Sequence, residues 1–148
     1  MSELAAILDP LTPLLGEWVT DADTPMGRVR CTRQFAPAVG SAYIELIAHW
    51  AFGAGRDYEE RALFGAVKPH TLGFWSFTSD GGHAHGEIAD VHDIHPTALG
   101  FIAAMPAGRA RQAYWRDDNG VLHWIVEAET PNGWERFTAH QYRRTAPP

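Results

Sequence analysis

The sequence predicts an all-β fold, an antiparallel up-and-down β-barrel of about ten strands with a short N-terminal helix. The chain holds six Trp, seven Phe and four Tyr, residue types that suit a pleated, half-buried surface. These aromatic residues recur in short runs separated by glycine- and proline-containing turns. A meander of this kind must avoid exposed edge strands with unpaired backbone groups, and closure into a barrel does so most simply. A β-sandwich is the alternative.

The helix is expected at the N-terminus. Ser2 can cap it, Glu3 falls in its first turn, and Asp9-Pro10 is expected to end it. Its apolar stripe is made of Leu4, Ile7 and Leu8.

The remainder of the chain is divided into strands by turn signals, of which Asp80-Gly81, Asn119-Gly120 and Asn132-Gly133 are the strongest. The predicted strands cover 16–21, 27–36, 41–52, 58–67, 71–78, 83–91, 97–105, 109–117, 121–130 and 133–144.

Turn length sets which residues share a face of the sheet. If Asn119-Gly120 and Asn132-Gly133 are two-residue turns, one apolar face crosses the last three strands. That face holds Ala113, Trp115, Leu122, Trp124, Val126, Phe137 and Ala139. Gln141 continues it as a lone interior amide, Arg143 also points inward, and His140 points outward.

The same reasoning on Asp80-Gly81 groups large and small residues on one face. This group is Trp75, Phe77, Ala84, Gly86 and Ile88. On the earlier strands the inward set is Ile44, Leu46, Ala48, Ala62 and Phe64. An interior that mixes large aromatic side chains with Ala and Gly favours a ligand cavity over a solid core.

Composition excludes several classes of protein. The 148 residues predict one domain spanning 1–148, and a net charge of −6 disfavours binding to nucleic acid. The single cysteine, Cys31, rules out a disulfide framework and is interpreted as a small apolar core residue. No apolar run reaches the roughly 20 residues that span a bilayer. Because Met1-Ser2-Glu3 lacks the basic start of a secretory signal, a cytoplasmic location is expected.

Two terminal motifs carry a family resemblance. Gly16-Glu17-Trp18 matches the Gly-x-Trp that opens lipocalin-like chains, and Gln141-Tyr142-Arg143-Arg144 matches their closing arginine strand. Between them, Gly40-Ser41-Ala42-Tyr43, Phe64-Gly65 and Phe74-Trp75-Ser76 complete a pattern that ends with Trp134-Glu135. The chain thus resembles a family of uncharacterised bacterial lipocalin-like (calycin) barrels. The resemblance implies an apolar pocket with no assigned activity, and Arg143 packed across Trp18.

The chain is also similar, more distantly, to nitrobindin-like haem barrels, whose proximal histidine lies on a late strand. His140 is the histidine near that place, but its offset from the terminal arginines differs, so no haem or other cofactor is expected. The architecture further resembles fatty-acid-binding barrels, which hold a ligand carboxylate.

Two arginines, Arg33 and Arg111, fall on inward positions of the predicted strands. A buried guanidinium is costly unless it is paired. The candidate partners within the chain are Glu60, Asp90 and Glu135, and the carboxylate of a bound acid is an alternative. Location at the barrel rim, with the charge reaching water, is a further alternative.

The histidine pattern His83-x-His85-x-Glu87 resembles a metal motif, but the predicted register places it on the outer face with Ser76 and Thr78. It is therefore interpreted as a solvated surface, and no metal site is predicted.

These features predict binding of a small hydrophobic, carboxylate-bearing ligand inside the barrel, with no nucleic-acid or membrane partner. The alternatives are a small barrel enzyme using an acid or base in the pocket, such as Asp90 or Glu60, and a filled barrel that self-associates as a homodimer. The predicted ligand-binding residues are Arg33, Leu46, Phe64, Trp75, Phe77, Arg111, Trp115, Trp124, Phe137 and Gln141.

Overall fold

The described part of the chain forms one closed antiparallel barrel of ten strands, in which each strand pairs with its neighbours in sequence and β1 closes the ring against β10. The computed structural model describes residues 3–25, 27–53 and 55–145. The strands are β1 (Gly16–Thr24), β2 (Gly27–Ala38), β3 (Tyr43–Ala51), β4 (Tyr58–Lys68), β5 (Thr71–Thr78), β6 (His83–Ala89), β7 (Leu99–Met105), β8 (Gly108–Arg116), β9 (Leu122–Thr130) and β10 (Gly133–Arg144). Each lies within a few residues of its predicted bounds, so the predicted fold class is confirmed.

The chain begins with helix α1 (Glu3–Leu8), which continues into a 3₁₀ helix over Asp9–Leu14. The α-helix ends where Asp9-Pro10 was expected to end it. Ser2 lies outside the described residues, as do the side chains of Glu3 and Leu4, while Leu8 is buried and Ile7 packs beside it. The α-helix packs against β4 and β5 and covers one end of the barrel, which we call the base.

Trp18 and Arg144 close the barrel at the base. Trp18 is fully buried, and its indole Nε1 donates to the Leu14 carbonyl at 2.8 Å. The Arg144 guanidinium lies 4.3 Å from the centre of the Trp18 ring and donates to the Leu15 carbonyl at 2.8 Å. The stacking residue is therefore Arg144. The prediction that Arg143 points inward and packs on Trp18 was wrong, because the register of β10 leaves Arg143 exposed.

The lower half of the barrel is a filled core. Rings from different strands meet across the interior with centroids 5.3 to 6.3 Å apart, in tilted or edge-on contacts that suit aromatic pairs. These rings belong to Phe35, Phe64, Phe74, Phe101 and Tyr114. Leu46 and Cys31 are buried in the same cluster. Burial raises the pKa of the Cys31 thiol to about 11, which is consistent with its interpretation as an apolar core residue.

Three hairpins have a register that differs from the prediction by a residue or more. Trp75 lies opposite His85, Trp115 opposite His123, and Trp124 opposite His140. In β10 a bulge between Arg136 and Thr138 shifts the pairing again. Because side chains alternate along a strand, a one-residue slip moves the predicted inward residues of one strand of the hairpin to the outer face.

A loop covers part of the outer face of the barrel. The segment 90–98, between β6 and β7, packs Val91 against Ala113 and Ile125, with Trp115 at the edge of this small cluster. The barrel therefore has a second apolar cluster outside its wall.

Candidate functional site

Two adjoining cavities open at the end of the barrel opposite α1, which we call the mouth. The turns that form the mouth join β1 to β2, β3 to β4, β5 to β6, β7 to β8 and β9 to β10. Cavity A has a volume of about 930 Å³ and cavity B about 840 Å³. Tyr58, Trp124 and Phe137 line both cavities. Both volumes lie in the range of small-molecule sites.

The two cavities differ in their linings. Cavity A lies against β1, β3 and β10 and includes Trp50, Phe52 and His140 in its wall. Cavity B lies against β4 to β9, and most of its wall is aromatic or small and apolar. Its apolar side chains include Phe74, Ala84, Phe101, Ala103 and Val126. Its polar groups in the wall include Glu60, Ser76 and Gln112.

Trp124 forms the floor between the cavities and the filled core. Its indole Nε1 donates to Gln112 Oε1 at 3.2 Å, and its ring lies 6.4 Å from Trp50 and 6.3 Å from Tyr114, centre to centre. The outer side of the ring faces both cavities. The Trp124 ring also contacts the buried guanidinium of Arg33.

Arg33 is buried in an aromatic cage directly beneath this floor. The side chain is 1% exposed, and the guanidinium carbon lies 3.8 Å from the centre of the Trp124 ring. Nη2 donates to the Tyr114 hydroxyl at 3.0 Å, whereas Nε and Nη1 have no hydrogen-bond partner within the described part of the chain. Trp50 and Tyr142 complete the cage at 5.5 and 5.9 Å. Burial raises the pKa of Tyr114 far above its usual value, so its hydroxyl is protonated.

Glu60 is the acid that accompanies this charge. Arg33 and Glu60 flank Ala48 in one cross-strand row, and the small side chain of Ala48 lets their longer chains approach each other. Their closest atoms, Arg33 Nη2 and Glu60 Oε1, are 3.7 Å apart. Burial raises the pKa of the Glu60 carboxyl, and the positive charge of Arg33 opposes that rise. Of the three partners predicted for Arg33, Glu60 is the one in contact, while Asp90 and Glu135 are exposed.

Four of the predicted ligand-binding residues lie inside the barrel. They are Arg33, Leu46, Phe64 and Trp124. Of these, Trp124 alone reaches the two cavities, since Leu46 and Phe64 belong to the filled core and Arg33 lies below the floor.

Trp75 and Phe77 were predicted to face inward and lie outside. Trp75 packs edge-on against Tyr43, with centroids 6.3 Å apart, and Phe77 is 60% exposed. The inward residues of β5 are instead Phe74 and Ser76, because the β5–β6 connection is longer than two residues. His83, His85 and Glu87 are exposed on the outer face, as expected, although they share it with Phe77 and Trp75 rather than Ser76.

Arg111 and Trp115 were also predicted inside and lie on the outer wall. Arg111 donates from Nε to Glu127 at 2.8 Å and from Nη1 and Nη2 to both carboxylate oxygens of Asp93, at 3.2 and 2.7 Å. The two bonds to Asp93 link the 90–98 loop to the barrel wall. Trp115 is stacked between His95 and His123 at 5.0 and 4.8 Å.

The predictions for β10 were wrong because of its bulge. Gln141 and Ala139 are exposed, and Phe137, at the bulge, is 65% exposed at the mouth. Phe137 nevertheless lines both cavities, and Gln141 lines cavity A. His140 turns inward instead, 5.7 Å from Trp124, and its pKa is lowered by burial and by the charge of Arg33.

The residues that sequence reasoning missed are those on the true inward register. They include Tyr58, Phe74, Ser76, Phe101, Gln112 and Tyr114. The only signal for them was the alternation along each strand, and that signal is usable only when the turn lengths are known.

Among the described residues, no group of three or more His, Cys, Asp or Glu side chains is placed to hold a metal ion. The described helices include none that is long and apolar enough to cross a bilayer. The chain matches no protein-family model, and no curated protein sequence matches it.

Proposed function

We propose that this barrel binds one small hydrophobic molecule at its mouth, between the walls of cavity B and the Trp124 ring. The observation that carries the proposal is the contrast between the two halves of the barrel. The base is filled by interlocking aromatic rings, whereas the mouth keeps a cavity of about 840 Å³ with a mainly apolar wall. Apolar cavities of this size with a few polar groups are typical of ligand sites.

The lining supports a flat, ring-containing ligand. Phe74, Phe101 and Trp124 present ring faces and edges to the cavity. The small side chains of Ala84 and Ala103 leave space beside these rings. Burial of apolar ligand surface is worth about 25 cal/mol per Å², so such a wall supplies the main driving force for binding. The lipocalin-like resemblance of the two terminal motifs is part of this proposal, as is the cytoplasmic location expected from the sequence.

The geometry changes the expected anchor of the ligand. Arg111 cannot contact a molecule in the barrel, because it lies on the outer wall between Asp93 and Glu127. Arg33 lines neither cavity. The carboxylate head group expected from two inward arginines therefore has no arginine to receive it among the described residues that line cavity B.

Two other functions have weaker support. Glu60 could serve as an acid or base for an enzyme reaction, but within the described ranges no second reactive group in contact with it points to a reaction class. Self-association needs one exposed apolar patch. The exposed large apolar residues lie instead toward both ends of the barrel: Val39 and Ile88 toward the base, and Phe77, Met105 and Phe137 toward the mouth.

Titration with naphthalene tests the proposal. We expect saturable one-to-one binding by isothermal titration calorimetry, with quenching of tryptophan fluorescence because Trp124 lines cavity B. The matched variant Trp124→Phe keeps an apolar ring, so it should retain binding but lose much of the quenching. Absence of saturable binding up to the solubility limit of naphthalene would overturn the proposal.

A further inference from the structure

The acid inside cavity B, Glu60, belongs to an ion pair with a residue beneath the floor, and this restricts the head group of the ligand. Glu60 is the charged residue of the barrel interior that lines this cavity, and its side chain is 20% exposed. Arg33, 3.7 Å away, compensates its charge from beneath the floor. The pair as a whole therefore attracts neither anions nor cations strongly.

A ligand carboxylate is disfavoured at this place. It would approach Glu60 first, and two carboxylates in a poorly solvated cavity repel each other. The guanidinium that could offset this repulsion is covered by the Trp124 ring, which lies 3.8 Å from it. A cationic ligand gains little net attraction, because Arg33 at 3.7 Å already compensates the charge of Glu60.

A neutral hydroxyl group fits the same place. Glu60 can accept its hydrogen bond, and hydrogen bonds to charged groups are stronger than those between neutral groups. Ser76, one strand away on β5, and Gln112, on the facing wall, offer further polar partners in the same cavity. Each is flanked by apolar cavity residues, as an orienting group in an apolar site should be.

We propose that the ligand of cavity B is an uncharged aromatic or alicyclic alcohol whose hydroxyl donates to Glu60, with Arg33 as the buried counter-charge of that acceptor. This inference rests on the proposed function, since it specifies the ligand class of the same site. It replaces the carboxylate-bearing ligand that the inward arginines suggested.

Three probes of one shape test the inference at pH 7: naphthalene, 2-naphthol and 2-naphthoate. We expect the wild-type protein to bind 2-naphthol about tenfold more tightly than naphthalene and 2-naphthoate more weakly than either. Glu60→Gln should reduce this order, because 2-naphthol loses its charged acceptor and 2-naphthoate no longer meets a second carboxylate in the cavity. The matched control is Glu59→Gln, which removes the neighbouring carboxylate on the outer face, where it accepts from Arg61 at 3.1 Å. This control should leave the order unchanged.

The outcomes separate the two proposals. If naphthalene and 2-naphthol bind but 2-naphthoate binds as tightly as 2-naphthol, the hydroxyl inference is wrong and the hydrophobic site stands. If none of the three probes binds, the proposed function and this inference both fail. The comparison of probes on the wild-type protein decides between these results even if Glu60→Gln does not fold.

Discussion

Arg33→Ala is expected to destabilise the barrel by about 3–5 kcal/mol in urea unfolding, because it breaks a buried ion pair from one side. The variant loses the stacking of the guanidinium on Trp124 at 3.8 Å and its hydrogen bond to Tyr114 at 3.0 Å. It also leaves Glu60 without its counter-charge. Arg30→Ala on the same strand is the matched control. Arg30 is exposed and paired with Asp21 at 3.2 Å, so its loss should cost less than about 1 kcal/mol.

The pH dependence of the Arg33 variants follows from Glu60. Burial already holds the pKa of Glu60 above its ordinary 4.5, and Arg33 opposes that rise. In Arg33→Met the lowering effect of the Arg33 charge is absent, so the pKa of Glu60 in the folded state rises further. The folded state of this variant therefore binds the Glu60 proton more tightly than the unfolded state does. The unfolding free energy that Arg33→Met loses relative to the wild-type protein should therefore be smallest near pH 4. This loss should grow as the pH rises through the higher folded-state pKa of Glu60.

The double variant Arg33→Met/Glu60→Gln removes both charges and should recover most of the stability with no such pH dependence. A deficit below about 1 kcal/mol for Arg33→Ala at pH 7 would contradict the structural role assigned to this buried charge.

Ala103→Trp is expected to weaken the binding of naphthalene by tenfold or more, about 1.4 kcal/mol, because the indole occupies the ligand's space. Ala103 is 7% exposed and lies in the wall of cavity B opposite Gly86, so the new side chain points into the cavity. Since it fills existing space, the unfolding free energy should change by less than about 1–3 kcal/mol, the usual cost of overpacking a filled core. Binding is measured by isothermal titration calorimetry.

Ala36→Trp provides the matched control for this substitution. Ala36 is half-buried and follows the inward Phe35, so it lies on the outer wall of β2. The added indole there should leave naphthalene binding unchanged. If Ala103→Trp folds and binds naphthalene as tightly as the wild-type protein, the ligand does not occupy cavity B.

The elements of the barrel and the inward face of β2 to β4 could be predicted from the sequence. The inward residues of β3 and β4 share one buried face, as expected, with Ile44 opposite Phe64 and Leu46 opposite Ala62. Arg33 is buried in the interior, also as expected. On these strands the contrast between apolar and charged positions is strong, so alternation alone indicates the inward face.

The later registers could not be predicted, because the same turn residues occur in loops of different length. Asn119-Gly120 reads as a two-residue turn, but Asp117 accepts from the backbone of Asn119 and Val121 and pairs with Val121, which lengthens the loop. A one-residue difference of this kind exchanges the two faces of a strand. As a result, Trp115 faces outward rather than inward, and Tyr114 faces the interior of the barrel.

The outer cluster beneath the 90–98 loop made this error hard to detect. Ala113 and Ile125 face outward yet are as buried as interior residues, because Val91 packs on them. Arg111, beside them, is buried by its contacts with Asp93 of the same loop, with Glu127 and with the Trp134 ring. On β8 and β9 both faces are therefore apolar over part of their length, and alternation does not distinguish inside from outside.

The most direct test of a ligand cavity at the mouth is a crystal structure of the wild-type protein with 6-bromo-2-naphthol, with the bromine located by anomalous scattering. We expect one bromine peak inside the barrel above the Trp124 ring, with the naphthol ring packed against the Phe74–Phe101 pair and its hydroxyl directed to Glu60. Bromine peaks confined to the outer surface, with the mouth closed by its own side chains, would contradict this expectation.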